Sequence, residues 1–228
     1  MKKFVVLLSL LCGSVIVFSC VRYMQEIPSE DLEKMSRIID STISVEVRHG
    51  LLKKTIGAGV LIKLNRNFYI VTAKHVAVEA KSLPVYGCGL ISKECKELVP
   101  EELLNKNLEK IHLDQDWALF KINDLPKKSR AAKLGLSELD LGERVTLFGF
   151  PYGRGPWLSK GHIAWVWKTE NGELMGIDAY AAPGFSGGGV FNGDGELIGI
   201  VVAISLTPEG TVLHNQVLAV PLRGFLPI

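Results

Sequence analysis

Three short segments carry side chains that together could break an acyl bond. In chain order they are Val71-Thr72-Ala73-Lys74-His75-Val76, Asp114-Gln115-Asp116-Trp117-Ala118-Leu119-Phe120 and Pro183-Gly184-Phe185-Ser186-Gly187-Gly188-Gly189-Val190. A serine hydroxyl is a weak nucleophile until a base takes its proton, and histidine has the unperturbed pKa for that task near neutral pH. The histidine in turn needs a carboxylate that fixes its tautomer and stabilises the imidazolium. Glycines around the serine permit a sharp turn and leave backbone N–H groups clear for a developing oxyanion. The expected donors are Gly184 and Ser186. Taken singly, His75 reads as a loop histidine, Asp116 as a strand-edge charge and the Gly-Ser cluster as a turn. It is the combination that points to chemistry.

The elements around these segments are mostly strands. Ile43, Val45 and Val47 alternate with Ser44, Glu46 and Arg48, the period of a half-buried strand. Strand-like runs follow at 59–64, 68–72, 117–122, 144–148, 162–167, 174–180, 189–191, 197–203 and 212–220. Between them stand turn signals such as Asn65-Arg66-Asn67, Asn192-Gly193-Asp194-Gly195 and Pro208-Glu209-Gly210. This density of short strands and glycine turns predicts an all-β sandwich or barrel, not βαβ units. One helix is expected before them, over Glu30 to Asp40, where Leu32, Met35, Ile38 and Ile39 recur at helical spacing. A helical turn is allowed for within the polar stretch from Glu97 to Asp114.

The amino terminus reads as an export signal over residues 1–19. Lys2 and Lys3 precede an uncharged, mostly apolar run from Phe4 to Phe18. The run closes on Val17-Phe18-Ser19-Cys20, which resembles a bacterial lipobox although Phe18 is bulky for its place. Lipidation of Cys20 is therefore expected, with an uncleaved anchor or a simple secretory signal as the alternatives, and a linker and helix over 20–40. Cys12 lies inside the signal. Cys88 and Cys95 remain, too few for a structural zinc site with no histidine nearby, and an oxidising compartment favours a disulfide between them. The 228 residues carry 26 Lys plus Arg against 24 Asp plus Glu, and both surplus cations are Lys2 and Lys3. That balance gives no electrostatic case for nucleic-acid binding. With 47% apolar and 22% charged residues, the chain is not disordered.

The three segments, taken together, resemble the triad blocks of chymotrypsin-fold serine peptidases, especially the bacterial HtrA (Deg) type. The matching residues are Ala73-Lys74-His75-Val76, Asp116-x-Ala118-Leu119 and Gly184-x-Ser186-Gly187-Gly188. The flanks are similar too: Gly57-Ala58-Gly59-Val60, Gly149-Phe150-Pro151-Tyr152-Gly153, Gly161-His162-Ile163, Asp178-Ala179 and Gly195 to Ile200. The resemblance covers about residues 41 to 223 and implies a chymotrypsin-like double β-barrel over 41–228. It implies His75 as general base, Asp116 as orienting acid and Ser186 as nucleophile. Asp114 lacks the Ala-Leu pair at the matching offset. A primary substrate pocket is implied at Tyr180, Val201, Val202 and Ala203, which hold no carboxylate, so cleavage after Lys or Arg is not expected. Phe185 stands where digestive enzymes carry the Asp of an activation switch, and no PDZ domain is expected beyond Ile228.

The expected protein is an exported, membrane-anchored serine endopeptidase acting on polypeptides, with no metal or organic cofactor and an open oligomeric state. The alternative on the same fold is a tethered binding protein without turnover. Gly184-Phe185-Ser186-Gly187-Gly188 also fits the α/β-hydrolase nucleophile elbow. That elbow opens a helix, and its Asp and His follow the Ser. Here Gly187 to Gly189 resist helix and only 42 residues remain after Ser186.

Overall fold

The computed structural model describes residues 29–49, 52–79, 85–100, 116–170 and 172–224. The signal segment, Cys12, Cys20 and Asp114 lie outside these residues. The described residues from Arg37 onward belong to one compact unit, which contains the strands.

Helix α1 spans Ser29–Ser41 with Glu30 and Asp31 in its first turn, where acidic side chains favour the positive end of the helix dipole. Its carboxyl end is closed by side chains: the Ser41 and Thr42 hydroxyls donate to Ile38 O at 3.0 and 2.8 Å. Ile38 is buried, and Asp40 accepts from Arg130 Nε at 2.8 Å.

The first sheet holds β1 (Thr42–His49), β2 (Leu52–Leu64), β3 (Asn67–Thr72), β4 (Val85–Gly89), β5 (Cys95–Glu97), β6 (Val99–Pro100) and β7 (Ala118–Ile122). Their order across the sheet is β5-β4-β1-β2-β3-β7-β6. A short helix, α2 (Lys74–Glu79), follows β3 directly. In β2, residues 57–62 are all buried, so the run Gly57-Ala58-Gly59-Val60-Leu61-Ile62 is covered on both faces. That is why it reads as continuous apolar sequence and not as alternation.

The second sheet contains β8 (Lys133–Leu134), β9 (Arg144–Gly149), β10 (Trp157–Lys168), β11 (Glu173–Ile177), β12 (Gly189–Phe191), β13 (Glu196–Leu206) and β14 (Val212–Pro221). The order β12-β9-β10-β11-β14-β13, with β12 also paired to β13, closes six strands into a barrel, and β8 adds in parallel to β13. β10 begins five residues before the expected run 162–167 and alternates: Ser159, Gly161 and Ile163 are buried between exposed Lys160, His162 and Ala164.

Two apolar clusters hold these sheets. One lies inside the closed barrel, around Leu147, Ile163, Met175, Phe185 and Val201. The other fills the first sheet and continues into Phe148, Phe150, Phe191, Ile200 and Val202 of the second. The seam between sheets is thus apolar, and full burial of a large side chain there stabilises by about 1.5–3 kcal/mol. The architecture is the chymotrypsin-like double β-barrel, with the first sheet an open half-barrel among the described residues.

Candidate active site

His75 sits in the first turn of α2, one residue beyond buried Ala73 and Lys74. The β3–α2 corner is tight: Val76 N–H donates to Ala73 O at 3.1 Å. Asp116 stands just before β7, the neighbour of β3, and Ala118 pairs with Thr72 across that ladder. Strand pairing therefore carries Asp116 to His75 across 41 residues of sequence. Asp116 is 2% exposed and turns both oxygens to one neighbour. Its Oδ1 accepts the His75 backbone N–H at 2.9 Å, and its Oδ2 lies 2.6 Å from His75 Nδ1. A buried carboxylate at that distance makes Nδ1 the protonated nitrogen and leaves Nε2 as the acceptor. The His75 side chain stays 30% exposed, so the free nitrogen can meet a ligand.

Ser186 lies in the turn between Ala182 and β12. Phe185 N–H donates to Ala182 O at 3.0 Å, Gly187 N–H to Val201 O at 2.7 Å and Gly188 N–H to Phe185 O at 2.8 Å. Among the described residues, the N–H groups of Gly184 and Ser186 donate to no other group. These are the two donors expected for an oxyanion. The turn needs glycine at particular places. Gly184 has φ +105°, and a Cβ there would fall 2.2 Å from Phe150 O. Gly187 has φ +81°, and its Cβ would fall 2.1 Å from both Ala58 O and Thr72 Oγ1.

Those contacts bring the serine turn against the strands that end at His75. Ala58 N–H donates to Ser186 O at 2.8 Å, and a Cβ on Gly57 would meet both Ser186 O and Val76 Cγ2 at 2.8 Å. Thr72, buried at the end of β3, donates its hydroxyl to Ala58 O at 2.6 Å. The serine turn thus packs against β2 and the end of β3, the strand that leads to His75. The contribution of Thr72 was not legible in sequence, where it reads as one more β-branched strand residue.

A family profile described as a trypsin-like peptidase domain matches residues 57–200, from the strand before His75 to β13 beyond Ser186. The chain belongs to the trypsin-like peptidase family. Relatives agree in type. A periplasmic serine endoprotease of the DegP kind from Buchnera aphidicola subsp. Baizongia pistaciae is 34% identical over 161 residues, 68% of this chain and 32% of the relative. DegP of Escherichia coli K12, a periplasmic serine endoprotease, is 30% identical over 168 residues, 68% of this chain and 31% of its own length. The chain thus spans about a third of these curated relatives. Among solved structures, an HtrA-type protease, AlgW, with a decapeptide superposes with a TM-score of 0.66 at 21% identity, over 83% of this chain and 63% of that one. The serine endoprotease from Yersinia pestis gives 0.63 at 24% identity, over 86% and 64%. At these identities the likeness establishes the fold.

The residues expected to form the primary pocket are placed unevenly. Val201 and Val202 are buried, one in each apolar cluster, while Ala203 reaches solvent in part. The Tyr180 ring is 43% exposed, stacked on His214 and tilted against Trp157. Asp178 accepts the His162 N–H. Cys88 and Cys95 are directly paired residues of β4 and β5 and form a disulfide with Cα atoms 4.0 Å apart. The loop foreseen between them is a turn joining two strands.

Proposed function

We propose that this chain is a serine endopeptidase working through an acyl-enzyme. The Ser186 hydroxyl attacks a peptide carbonyl while His75 Nε2 takes its proton. The Gly184 and Ser186 N–H groups hold the oxyanion of the tetrahedral intermediate. His75 then returns the proton to the leaving amine, and a water activated by the same nitrogen releases the acyl group. Asp116 keeps the imidazole in the accepting tautomer and stabilises its cation. The observation that carries the reading is the double contact of one buried carboxylate with the ring and the backbone of His75, beside a glycine-built serine turn. Cleavage of an unfolded protein such as reduced casein tests it. Turnover that disappears in Ser186→Ala supports the reading, and turnover equal in both proteins removes it.

The substrate is a polypeptide. Neither Tyr180 nor Val201, Val202 or Ala203 offers a counter-charge for Lys or Arg before the scissile bond, so small and branched apolar residues are preferred there. Sequencing the ends of cleavage products from a denatured protein mixture checks this. A majority of cuts after Lys or Arg would contradict it.

The site of action is the cell envelope. The apolar segment after Lys2 and Lys3, the oxidised Cys88–Cys95 pair and the periplasmic relatives support export. Lipid on Cys20 would tether the chain to a membrane. Fatty-acid labelling that is lost in Cys20→Ala supports the tether, and absence of label from the wild type removes it.

A further inference from the structure

A cavity of about 340 Å³ opens beside the serine turn, walled by Pro151, Tyr152, Arg154, Trp157 and Tyr180. Three large aromatic side chains face solvent around it: Tyr152 is 62% exposed, Trp157 54% and Tyr180 43%. We infer that this cavity is a second recognition subsite of the enzyme, taking an aromatic side chain of the peptide substrate together with an adjacent carboxylate. The inference rests on the peptidase reading for what brings the peptide there.

Two walls of the cavity are anchored to the fold. The Tyr180 ring is held edge-on by fully buried Phe185, with centroids 6.5 Å apart, and flat by His214 at 5.7 Å. His214 is itself fixed, its Nδ1 lying 2.8 Å from Ala181 O. On the other wall Tyr152 adopts φ 53°, a left-handed conformation that side chains rarely take. Its N–H donates to Pro183 O at 2.7 Å, and Phe150 N–H donates to Gly184 O at 3.0 Å. Those two bonds join the cavity to the residues preceding Ser186, so a peptide held at the serine passes this wall. Walls fixed in advance reduce the ordering cost of binding, and exposed Trp and Tyr are the residues that gain most when covered.

Charge decides the second half of the ligand. Arg154 is the charged residue lining the cavity, and among the described residues its guanidinium meets no carboxylate. A planar guanidinium can bind a carboxylate through two parallel hydrogen bonds and can also lie over an aromatic ring. A basic peptide would meet repulsion there, and a small apolar one would leave the aromatic walls wet. Trp157 and Tyr180, 6.2 Å apart at 49°, suit a ring packed edge to face against them.

The test uses the full chain carrying Ser186→Ala and four fluorophore-labelled decapeptides, identical except for a central Phe-Asp, Ala-Asp, Phe-Asn or Ala-Asn pair. Anisotropy should show Phe-Asp binding at least tenfold tighter than Ala-Asn. Trp157→Ala should remove the preference for Phe, and Arg154→Gln the preference for Asp alone. Equal binding of the four peptides, no binding of any, or preferences that survive both substitutions would overturn the subsite. Labelling of the wild type by a fluorophosphonate is measured alongside. Labelled protein that binds the peptides alike loses the subsite and keeps the peptidase. Unlabelled protein that still selects Phe-Asp keeps the subsite and loses the peptidase.

Discussion

Asp116 commits both carboxylate oxygens to His75, and this makes its substitution by asparagine informative. The amide fills the same space and can keep the backbone contact. Facing Nδ1, however, it can present N–H and force the proton onto Nε2, where it blocks acceptance from Ser186. Asp116→Asn should lower kcat by about 10⁴, the size of that exchange in peptidases of this fold, with the melting temperature nearly unchanged. Steady-state kinetics on a peptide substrate beside a thermal melt checks both halves. A second residue-scale prediction concerns Gly184. A methyl group there meets Phe150 O at 2.2 Å and the backbone must leave φ +105°, so the N–H swings off the oxyanion. Gly184→Ala should cost about 10²–10³ in kcat while phosphonylation still goes to Ser186, only more slowly. An unchanged kcat would show that this N–H is not an oxyanion donor.

The strands β4 and β5 join at a turn that three interactions hold. The Cys88–Cys95 bond closes a short loop and, by chain entropy, stabilises the fold by about 2–3 kcal/mol. Glu94 in that turn accepts the Lys127 N–H at 2.9 Å and pairs with Lys96 at 3.1 Å. The Lys127 N–H, then the Lys96 ammonium, hold the Glu94 carboxyl below its ordinary 4.5. A depressed carboxylate contributes stability that is present above its unfolded value and drains away as pH falls through the folded one. The difference in melting temperature between wild type and Glu94→Gln should thus be largest near neutral pH and close as pH drops below about 4. A difference that stays constant down to pH 3 would contradict the pairing. Reduction of the disulfide should lower the midpoint of urea unfolding without changing where Ser186 is labelled. The disulfide of this corner was legible in sequence, but its strands were not. Gly87, Gly89 and two cysteines in nine residues hide the strand β4, and Pro100 hides β6. α2 was equally hidden, since six residues are too few for a helical period. By contrast β1 was legible through period two, although Ser44 and Glu46 are buried along with Ile43 and Val45, and part of β10 was legible as the run 162–167.

At the scale of the whole molecule, the site exists because two sheets share one apolar seam. His75 and Asp116 belong to the first, Ser186 to the second, and a Cβ added at Gly57 would meet both Ser186 O and Val76. Gly57→Ala should therefore lower kcat more than tenfold while the chain still folds, because the added carbon acts where the sheets meet. The three catalytic candidates were legible because their residue types are fixed by chemistry, and Gly184, Gly187 and Gly188 by a turn that no side chain fits. The aromatic cavity was not legible. Tyr152, Trp157 and Tyr180 are spread over 29 positions, and only the pairing of β9 with β10 and the Tyr152–Pro183 bond assemble them. Tyr180 in particular reads in sequence only as a pocket base, and its stacking on His214 and its contact with Trp157 come from the fold. The central claim is that Ser186 is a nucleophile activated by His75. It is met most directly by treating the folded chain with a fluorophosphonate and locating the adduct by peptide mass. One adduct is expected, on Ser186, absent in Ser186→Ala and strongly slowed in His75→Ala. An adduct formed equally well in His75→Ala, or none on folded wild type, would contradict it.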